Sequence, residues 1–161
     1  MTKELKSGDR APAFRLETDE GQISSTKLRG KPFVLYFYPR DDTSGCTKEA
    51  IAFSQEKTRF ESMGATVIGV SRDSVSSHIK FRDKYRLRIV LASDPETETA
   101  QAYGAWVEKS MYGRRYMGME RSTFLVDGKG VIRGIWRKVK VPGHVAAVLD
   151  ALRTIVSTRK S

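Results

Sequence analysis

The chain has 161 residues and a formal net charge of +10, with 29 Lys and Arg residues against 19 Asp and Glu residues. Its length suits a single domain over 1–161, and 39% hydrophobic residues are enough for a folded core rather than a disordered chain. A single cysteine excludes an intramolecular disulfide. One cysteine and two distant histidines, His78 and His144, offer few ligands for a metal site, so we expect no metal and no other cofactor.

The distribution of charged and apolar residues bears on location and partners. The longest apolar run, 33–38, has the length of a strand, and the first ten residues lack the apolar stretch of a signal peptide. We therefore expect a cytoplasmic protein with no membrane segment. The basic residues are spread along the chain, which favours a solvated basic surface over nucleic-acid binding but leaves room for an acidic partner.

Strand-like and helix-like segments alternate along the chain, which predicts a layered α/β domain. Residues 33–38 form a continuous apolar run, as expected for a strand that is buried on both faces, and Pro39 ends it because proline cannot donate to a strand ladder. Residues 11–16 and 21–25 are predicted as a short hairpin or an extended lead-in. The other predicted strands are 65–70, 89–91, and 122–126 with 131–136 as a hairpin.

Four helices are predicted in addition to these strands. The spacing of apolar residues after Cys46 predicts one helix that Gly64 closes. A second helix begins at a capping Ser74 or Ser76 and ends near Tyr85, a third leads from 93–96 to Tyr103, and a fourth runs from Pro142 to about Val156.

The segment 38–50 carries the chemistry. It places Cys46 at the start of a helix that follows a buried strand, which is the edge where open α/β sheets bind ligands. Free N–H groups and the helix dipole at that position favour a nucleophilic thiolate. A lone cysteine is more often a small buried apolar residue, but the surroundings here are polar and turn-forming, which favours a reactive one: Asp42, Thr43, Ser44, Gly45 and Thr47.

Residues 39–46 read Pro-Arg-Asp-Asp-Thr-Ser-Gly-Cys, which resembles the Pro-x-x-x-Thr-x-x-Cys signature of the peroxiredoxins. The longer string 36–50, with the stretches 69–71, 102–104 and 120–127, is similar to the bacterioferritin-comigratory, or Q-type, subfamily. The resemblance runs from Gly8 to about Leu152. It implies a thioredoxin-like fold, with a central mixed sheet flanked by helices and an extended or hairpin segment at the N-terminus.

The resemblance implies a thiol-dependent peroxidase that reduces hydrogen peroxide and organic hydroperoxides. Cys46 is then the peroxidatic cysteine, whose thiolate attacks one peroxide oxygen and becomes a sulfenic acid. Thr43 would accept a hydrogen bond from the peroxide and donate one to the thiolate, while Arg121 would stabilise the thiolate and orient the peroxide. Pro39 would shield the site from water, and the backbone N–H groups of Gly45 and Cys46 would complete an anion-binding cradle.

Each of these residues also has a simpler interpretation. Thr43 alone would be a turn or cap residue, Pro39 a strand terminator and Arg121 a surface charge. Glu49 matches a family position too, but we interpret it as a structural residue that complements the helix dipole. The two histidines lie outside any motif, and we expect them to face solvent without a role.

The chain departs from the subfamily in its cysteines. Many Q-type members carry a resolving cysteine at the position of Ile51 or in the next helix, and this chain has neither. Its sulfenic acid would therefore need an external thiol, such as thioredoxin, glutaredoxin or a low-molecular-weight thiol. By the same resemblance we expect a monomer.

Two other functions can be weighed against a peroxidase. One is a non-catalytic redox-sensing or binding protein on the same fold, in which oxidised Cys46 signals to a partner. Many turnovers of peroxide with excess thiol would indicate the enzyme, and a single stoichiometric oxidation would indicate the sensor. The other is a dithiol oxidoreductase, which the absence of a Cys-x-x-Cys motif excludes.

Overall fold

A seven-stranded mixed sheet lies at the centre of the computed structural model, which describes residues 4–159. Its strands stand in the order β2-β1-β5-β4-β3-β8-β9, and β6 and β7 form a separate two-stranded hairpin. The strands are β1 Arg15–Thr18, β2 Gly21–Ser24, β3 Phe33–Phe37, β4 Thr66–Ser71, β5 Val90–Ser93, β6 Trp106–Met111, β7 Arg114–Met119, β8 Ser122–Val126 and β9 Ile132–Trp136.

Helices cover both faces of the sheet, as the predicted α/β class requires. They are α1 Ser44–Gln55, α2 Lys57–Ser62, α3 Val75–Tyr85, α4 Glu98–Ala102 and α5 His144–Arg159. Successive side chains of the fully buried strand β3 point to opposite faces, so Val34 and Tyr36 join the core under α1, α2, α3 and α5, while Leu35 and Phe37 join the core under α4. Within residues 4–159 no helix combines the length and apolar character needed to cross a membrane.

The pairing of β3 determines which segments meet at one edge of the sheet. β3 is parallel to β4 and antiparallel to β8, and Phe37 at its end is opposite both Val70 and Ser122. The carboxyl ends of β3 and β4 and the amino end of β8 therefore share an edge. The loop and helix that carry Cys46, the segment after β4, and Arg121 just before β8 converge there.

The helices differ in detail from the sequence prediction. The predicted helix from Cys46 to Gly64 is two helices with a break at Glu56, and the break brings Phe60 into the core with its ring 5.9 Å from that of Phe53. The helix expected to begin at 93–96 starts only at Glu98. Asp94 precedes the helix and caps it, because its carboxylate accepts from the N–H of Ala100 at 2.8 Å. The β6–β7 hairpin was not predicted.

The expectation that the two histidines face solvent is wrong. His78 is 1% exposed and His144 is 6% exposed. His78 lies on the same face of α3 as the buried Phe81, three residues on, so the helical period turns it towards the sheet. His144 opens α5 and packs edge-on against Trp136, and its Nε2 lies 2.8 Å from the hydroxyl of Thr123.

Candidate active site

Cys46 is the third residue of α1 and is 1% exposed. The helix begins after Thr43, whose backbone is extended, and its first bond runs from the N–H of Thr47 to the carbonyl of Thr43 at 2.8 Å. The N–H groups of Gly45 and Cys46 therefore precede the helical ladder, at the positive end of the helix dipole. This position is the one predicted from the sequence, and it favours negative charge on sulfur.

Arg121 reaches Cys46 from 75 residues away in the chain, with Nη2 donating to Sγ at 3.2 Å. Its Nη1 donates to Glu49 Oε1 at 2.7 Å, and its backbone carbonyl accepts from the N–H of Val139 at 2.9 Å. Burial works against the charge of the guanidinium, but Glu49 and Cys46 outweigh it and raise the pKa of Arg121. A permanent cation thus faces the sulfur, and Arg121 is not a solvated surface charge.

Gly45 makes room for this contact. A Cβ atom at Gly45 would lie 3.1 Å from Nη2 of Arg121 and 3.8 Å from its Cζ, so the guanidinium lies directly over the start of α1. From the sequence, we expect a backbone role for Gly45 as an N–H donor. The structure adds that the missing side chain itself matters for the approach of Arg121.

Glu49 is fully buried one helical turn after Cys46, so it does more than complement the helix dipole, the structural role that we expected. Its Oε1 binds Arg121, and its Oε2 has no hydrogen-bond partner within the described part of the chain. Burial raises the pKa of this carboxyl to about 7, against the opposing effect of Arg121. The i, i+3 spacing from Cys46 was the sequence signal that could have placed it in the site.

Thr43 and Pro39 lie at the exposed side of the site. Thr43 occupies the N-cap position of α1, yet its hydroxyl donates to the carbonyl of Arg40 at 2.9 Å instead of capping the helix. No hydrogen bond joins Thr43 to Cys46 among residues 4–159. With its proton engaged by Arg40, the hydroxyl oxygen of Thr43 keeps lone pairs that can accept a bond from a ligand.

A buried polar cluster below the loop 39–43 holds that loop in place. Oδ1 of Asp41 accepts from the hydroxyl of Tyr38 at 2.5 Å, and Oδ2 accepts from the hydroxyl of Ser77 at 2.8 Å. Nδ1 of His78 lies 2.7 Å from the same Oδ2. The backbone N–H of Asp41 donates to Asp73 at 2.8 Å. No local sequence pattern indicates this cluster, because its members come from two segments, 38–41 and 73–78, that are distant in the chain.

A second anchor holds the same loop from outside. Asp42 adopts a left-handed backbone with φ of 58°, and its carboxylate accepts from Lys84 at 2.7 Å and from Tyr85 at 2.5 Å. The hydrogen bond from Lys84, followed by that from Tyr85, lowers the pKa of Asp42. Side chains of helix α3 therefore bind two consecutive residues, Asp41 and Asp42, of the loop that carries Thr43.

Known proteins share both the sequence and the fold. The profile of the AhpC/TSA family matches residues 7–135. The putative peroxiredoxin bcp of Coxiella burnetii is 47% identical over 92% of this chain and 99% of its own, and peroxiredoxin Bcp of Bacillus subtilis is 44% identical over 95% and 97%.

Solved structures of similar proteins indicate the same family. A structure of the bacterioferritin comigratory protein of Xanthomonas campestris, studied for alkyl peroxide reduction, superposes with a TM-score of 0.85 at 41% identity, covering 89% of this chain and 92% of that one. A cysteine-to-serine mutant of PrxQ from Xylella fastidiosa gives a TM-score of 0.88 at 36% identity, covering 94% and 98%. With its thioredoxin-like sheet and its Cys46–Arg121 pair, the chain belongs to the AhpC/TSA family and is a peroxiredoxin of the Bcp, or Q, type.

Proposed function

We propose that Cys46 is the peroxidatic residue of this thiol peroxidase, that it reduces hydrogen peroxide and organic hydroperoxides, and that an external thiol recycles it. The contact of Arg121 Nη2 with Cys46 Sγ at 3.2 Å carries the proposal, because it holds a fixed positive charge against the sulfur that must react as a thiolate. The relative from Xanthomonas campestris, studied for alkyl peroxide reduction, supports the inclusion of organic substrates.

The reaction begins when the thiolate of Cys46 attacks one oxygen of the peroxide. A sulfur–oxygen bond forms and the O–O bond breaks, so Cys46 is oxidised to a sulfenic acid and the peroxide is reduced. The second oxygen leaves with the electron pair and takes up a proton to become water or an alcohol. Arg121 and the N–H groups of Gly45 and Cys46 stabilise the negative charge as it moves from sulfur to the leaving oxygen.

The other site residues position these groups. Thr43 accepts a hydrogen bond from the peroxide with the oxygen lone pairs left free by its bond to Arg40. Glu49 fixes the guanidinium of Arg121 through Nη1, which leaves Nη2 aimed at sulfur. Pro39 covers the entrance to the site.

Recycling needs two thiols from outside, because Cys46 is the only cysteine of the chain. The first attacks the sulfenic sulfur, forms a mixed disulfide and releases water, and the second releases Cys46 by thiol–disulfide exchange. We assign these roles to thioredoxin, glutaredoxin or a low-molecular-weight thiol. We also infer one domain over 1–161 and a cytoplasmic monomer as the working enzyme.

The decisive variant is Cys46→Ser, which replaces sulfur by oxygen at nearly constant size. We expect peroxide consumption with excess dithiothreitol to fall to background while the circular dichroism spectrum and the unfolding midpoint stay unchanged. Residual turnover in a folded Cys46→Ser protein would contradict the proposal. A wild type that consumes only one equivalent of peroxide despite excess thiol would indicate a redox sensor instead.

Intact-mass spectrometry tests the recycling step. Without a reductant, excess peroxide should add two oxygen atoms to the monomer as Cys46 passes from sulfenic to sulfinic acid, since no second cysteine traps the intermediate. A prompt and complete Cys46–Cys46 dimer would show that two chains resolve each other, which would contradict the external-thiol mechanism.

A further inference from the structure

The β6–β7 hairpin presents an exposed apolar surface. Of the five large apolar side chains that are exposed among residues 4–159, four lie in this hairpin: Met111, Tyr112, Tyr116 and Met117. Within the described part of the chain its strands pair only with each other, and a two-stranded ribbon gains little stability by itself in water. Such a concentration of exposed apolar side chains on one hairpin is typical of an interaction site.

The turn of the hairpin bears an unusual residue. Met111 pairs with Arg114, so Tyr112 and Gly113 form a two-residue turn, and their φ angles of 52° and 77° correspond to a type I′ turn. Asn, Asp or Gly is the usual first residue of that turn, and a bulky side chain with positive φ is an outlier. Tyr112 is nevertheless there and is 97% exposed. A strained backbone that displays an aromatic ring to solvent points to a function for the ring.

The charged residues on one face of the hairpin are all basic. Alternation along the paired strands places Lys109, Met111, Arg114 and Tyr116 on the same face, and that face carries no acidic residue. The acid of the hairpin, Glu108, lies on the opposite face, 3.5 Å from Arg115. We define the hairpin patch as Met111, Tyr112, Arg114 and Tyr116. Its chemistry fits a partner surface that is acidic with an apolar centre.

The base of the hairpin lies at the edge of the sheet that holds Cys46. Only Glu120 separates the end of β7 from Arg121, and its N–H donates to the carbonyl of Ala105 at 2.7 Å, which closes the base. Arg72, directly after β4, lies 5.0 Å from the ring of Trp106 at the start of β6. At ~3.4 Å per residue the tip lies about 17 Å beyond this base. A partner of 100 residues, with a radius of gyration of about 13 Å, is wide enough to touch the tip while its thiol faces Cys46.

We infer that the hairpin patch docks the protein that brings the reducing thiol to Cys46, and that this protein is a dithiol protein with an acidic surface. The inference rests on the proposed function, in which the only cysteine depends on an external thiol. Charge complementarity selects an acidic partner, and the continuity of the hairpin with Arg121 places that partner over the site. A small thiol needs no such surface, so its reaction is independent of the patch.

The test measures how well the variants Tyr112→Asn and Arg114→Glu use different thiol donors. Asn suits the type I′ turn better than Tyr, so the first variant removes the ring without weakening the hairpin. Lys31→Glu is the matched control, since it makes the same charge change two residues before β3, at the opposite edge of the sheet. Turnover is measured with thioredoxin and its reductase, with glutaredoxin, and with dithiothreitol, and the oxidation of Cys46 by peroxide is followed in a single turnover.

We expect both hairpin variants to raise the KM for the protein donor by about tenfold, as for the loss of an interface anchor, with dithiothreitol turnover and Cys46 oxidation unchanged. Salt should raise the KM of the wild type and of Lys31→Glu, and have little effect on Arg114→Glu.

An unchanged KM in both hairpin variants, an equal loss with dithiothreitol, or no turnover with either protein donor while dithiothreitol works would each overturn the inference. So would binding of the patch to an oligonucleotide or to anionic vesicles with the KM for the protein donor unaffected. Absence of turnover with every donor, dithiothreitol included, would instead contradict the proposed function.

Discussion

The hydrogen atom in place of a side chain at Gly45 leaves space for the guanidinium of Arg121. This makes Gly45→Ala a selective test, because alanine favours the helix by about 1 kcal/mol over glycine while its methyl group would lie 3.1 Å from Nη2. The flexible end of Arg121 can shift without disturbing the fold. We expect unchanged or higher stability, and oxidation of Cys46 about tenfold slower, as for the loss of one charge-assisted hydrogen bond. Urea unfolding and single-turnover kinetics check the two parts, and an unchanged rate would contradict the placement of Arg121.

Glu49 gives the site a pH dependence that can be separated from that of the thiol. With its pKa raised to about 7 by burial, its carboxylate loses the negative charge that holds Arg121 as the pH falls through 7. We expect an inflection near pH 7 in the rate of Cys46 oxidation that Glu49→Gln removes, and a rate about tenfold lower than wild type at pH 8.

The control for Glu49 is Glu61→Gln, which removes the same charge from an exposed position on α2. That variant should keep both the rate and the inflection. An inflection near pH 7 that survives in Glu49→Gln would assign it to another group.

At the scale of elements, α3 acts as a clamp on the loop that precedes Cys46. Ser74 caps the helix by accepting from the N–H of Ser77 at 3.1 Å, and the helix then presents Ser77 and His78 to Asp41 and, two turns later, Lys84 and Tyr85 to Asp42. Nε2 of His78 lies 2.9 Å from the carbonyl of Ala92, so it carries a proton and ties the clamp to β5.

Breaking this clamp should affect both stability and rate. His78→Phe keeps the ring volume but leaves the buried carboxylate of Asp41 short of a partner, so we expect a loss of about 3 kcal/mol in the free energy of unfolding. Oxidation of Cys46 should also slow, since the loop with Thr43 is released. Urea unfolding measures the first effect. Ile79→Ala, at the exposed neighbouring position, is the control and should stay within about 0.5 kcal/mol.

At the scale of the whole molecule, two buried groups give opposite pH dependences of stability. Burial and then Arg121 lower the pKa of His144 from 6.5 to about 4. Between these pH values the unfolded chain binds a proton at His144 and the folded chain does not. Stability from this group is complete above pH 6.5 and is lost as the pH falls towards 4. Glu49 does the reverse, because its raised pKa favours the folded state at low pH and this contribution is lost between pH 4.5 and 7.

Because the two effects oppose each other, a variant must be compared with the wild type to isolate His144. His144→Gln can still bond Thr123 but does not titrate. From pH 7 to pH 4.5, we expect the free energy of unfolding of the wild type to fall by on the order of 2 kcal/mol relative to that of His144→Gln. Parallel stability curves over that range would show that His144 is not buried as a neutral ring.

The sequence by itself determined most of the elements and the position of the reactive group, but neither the β6–β7 hairpin nor the break between α1 and α2. Local rules act over a few residues, so the apolar run 33–38 predicted β3, and the polar turn before Cys46 placed the thiol at a helix start. Of the two predicted caps for α3, Ser74 and Ser76, the structure uses Ser74. The family signature supplied Arg121, which no local pattern distinguishes from the other basic residues.

Only the tertiary structure decided which side chains face one another. The contact of Arg121 with Cys46, the cluster around Asp41 and the contact of Arg72 with Trp106 at the base of the hairpin each depend on segments that are distant in the chain and meet at one edge of the sheet. The burial of Glu49, His78 and His144 is likewise a property of the packed elements around them. Hydrogen bonding and desolvation depend on what surrounds a group in space, and residue order along the chain specifies those surroundings only once the sheet has formed.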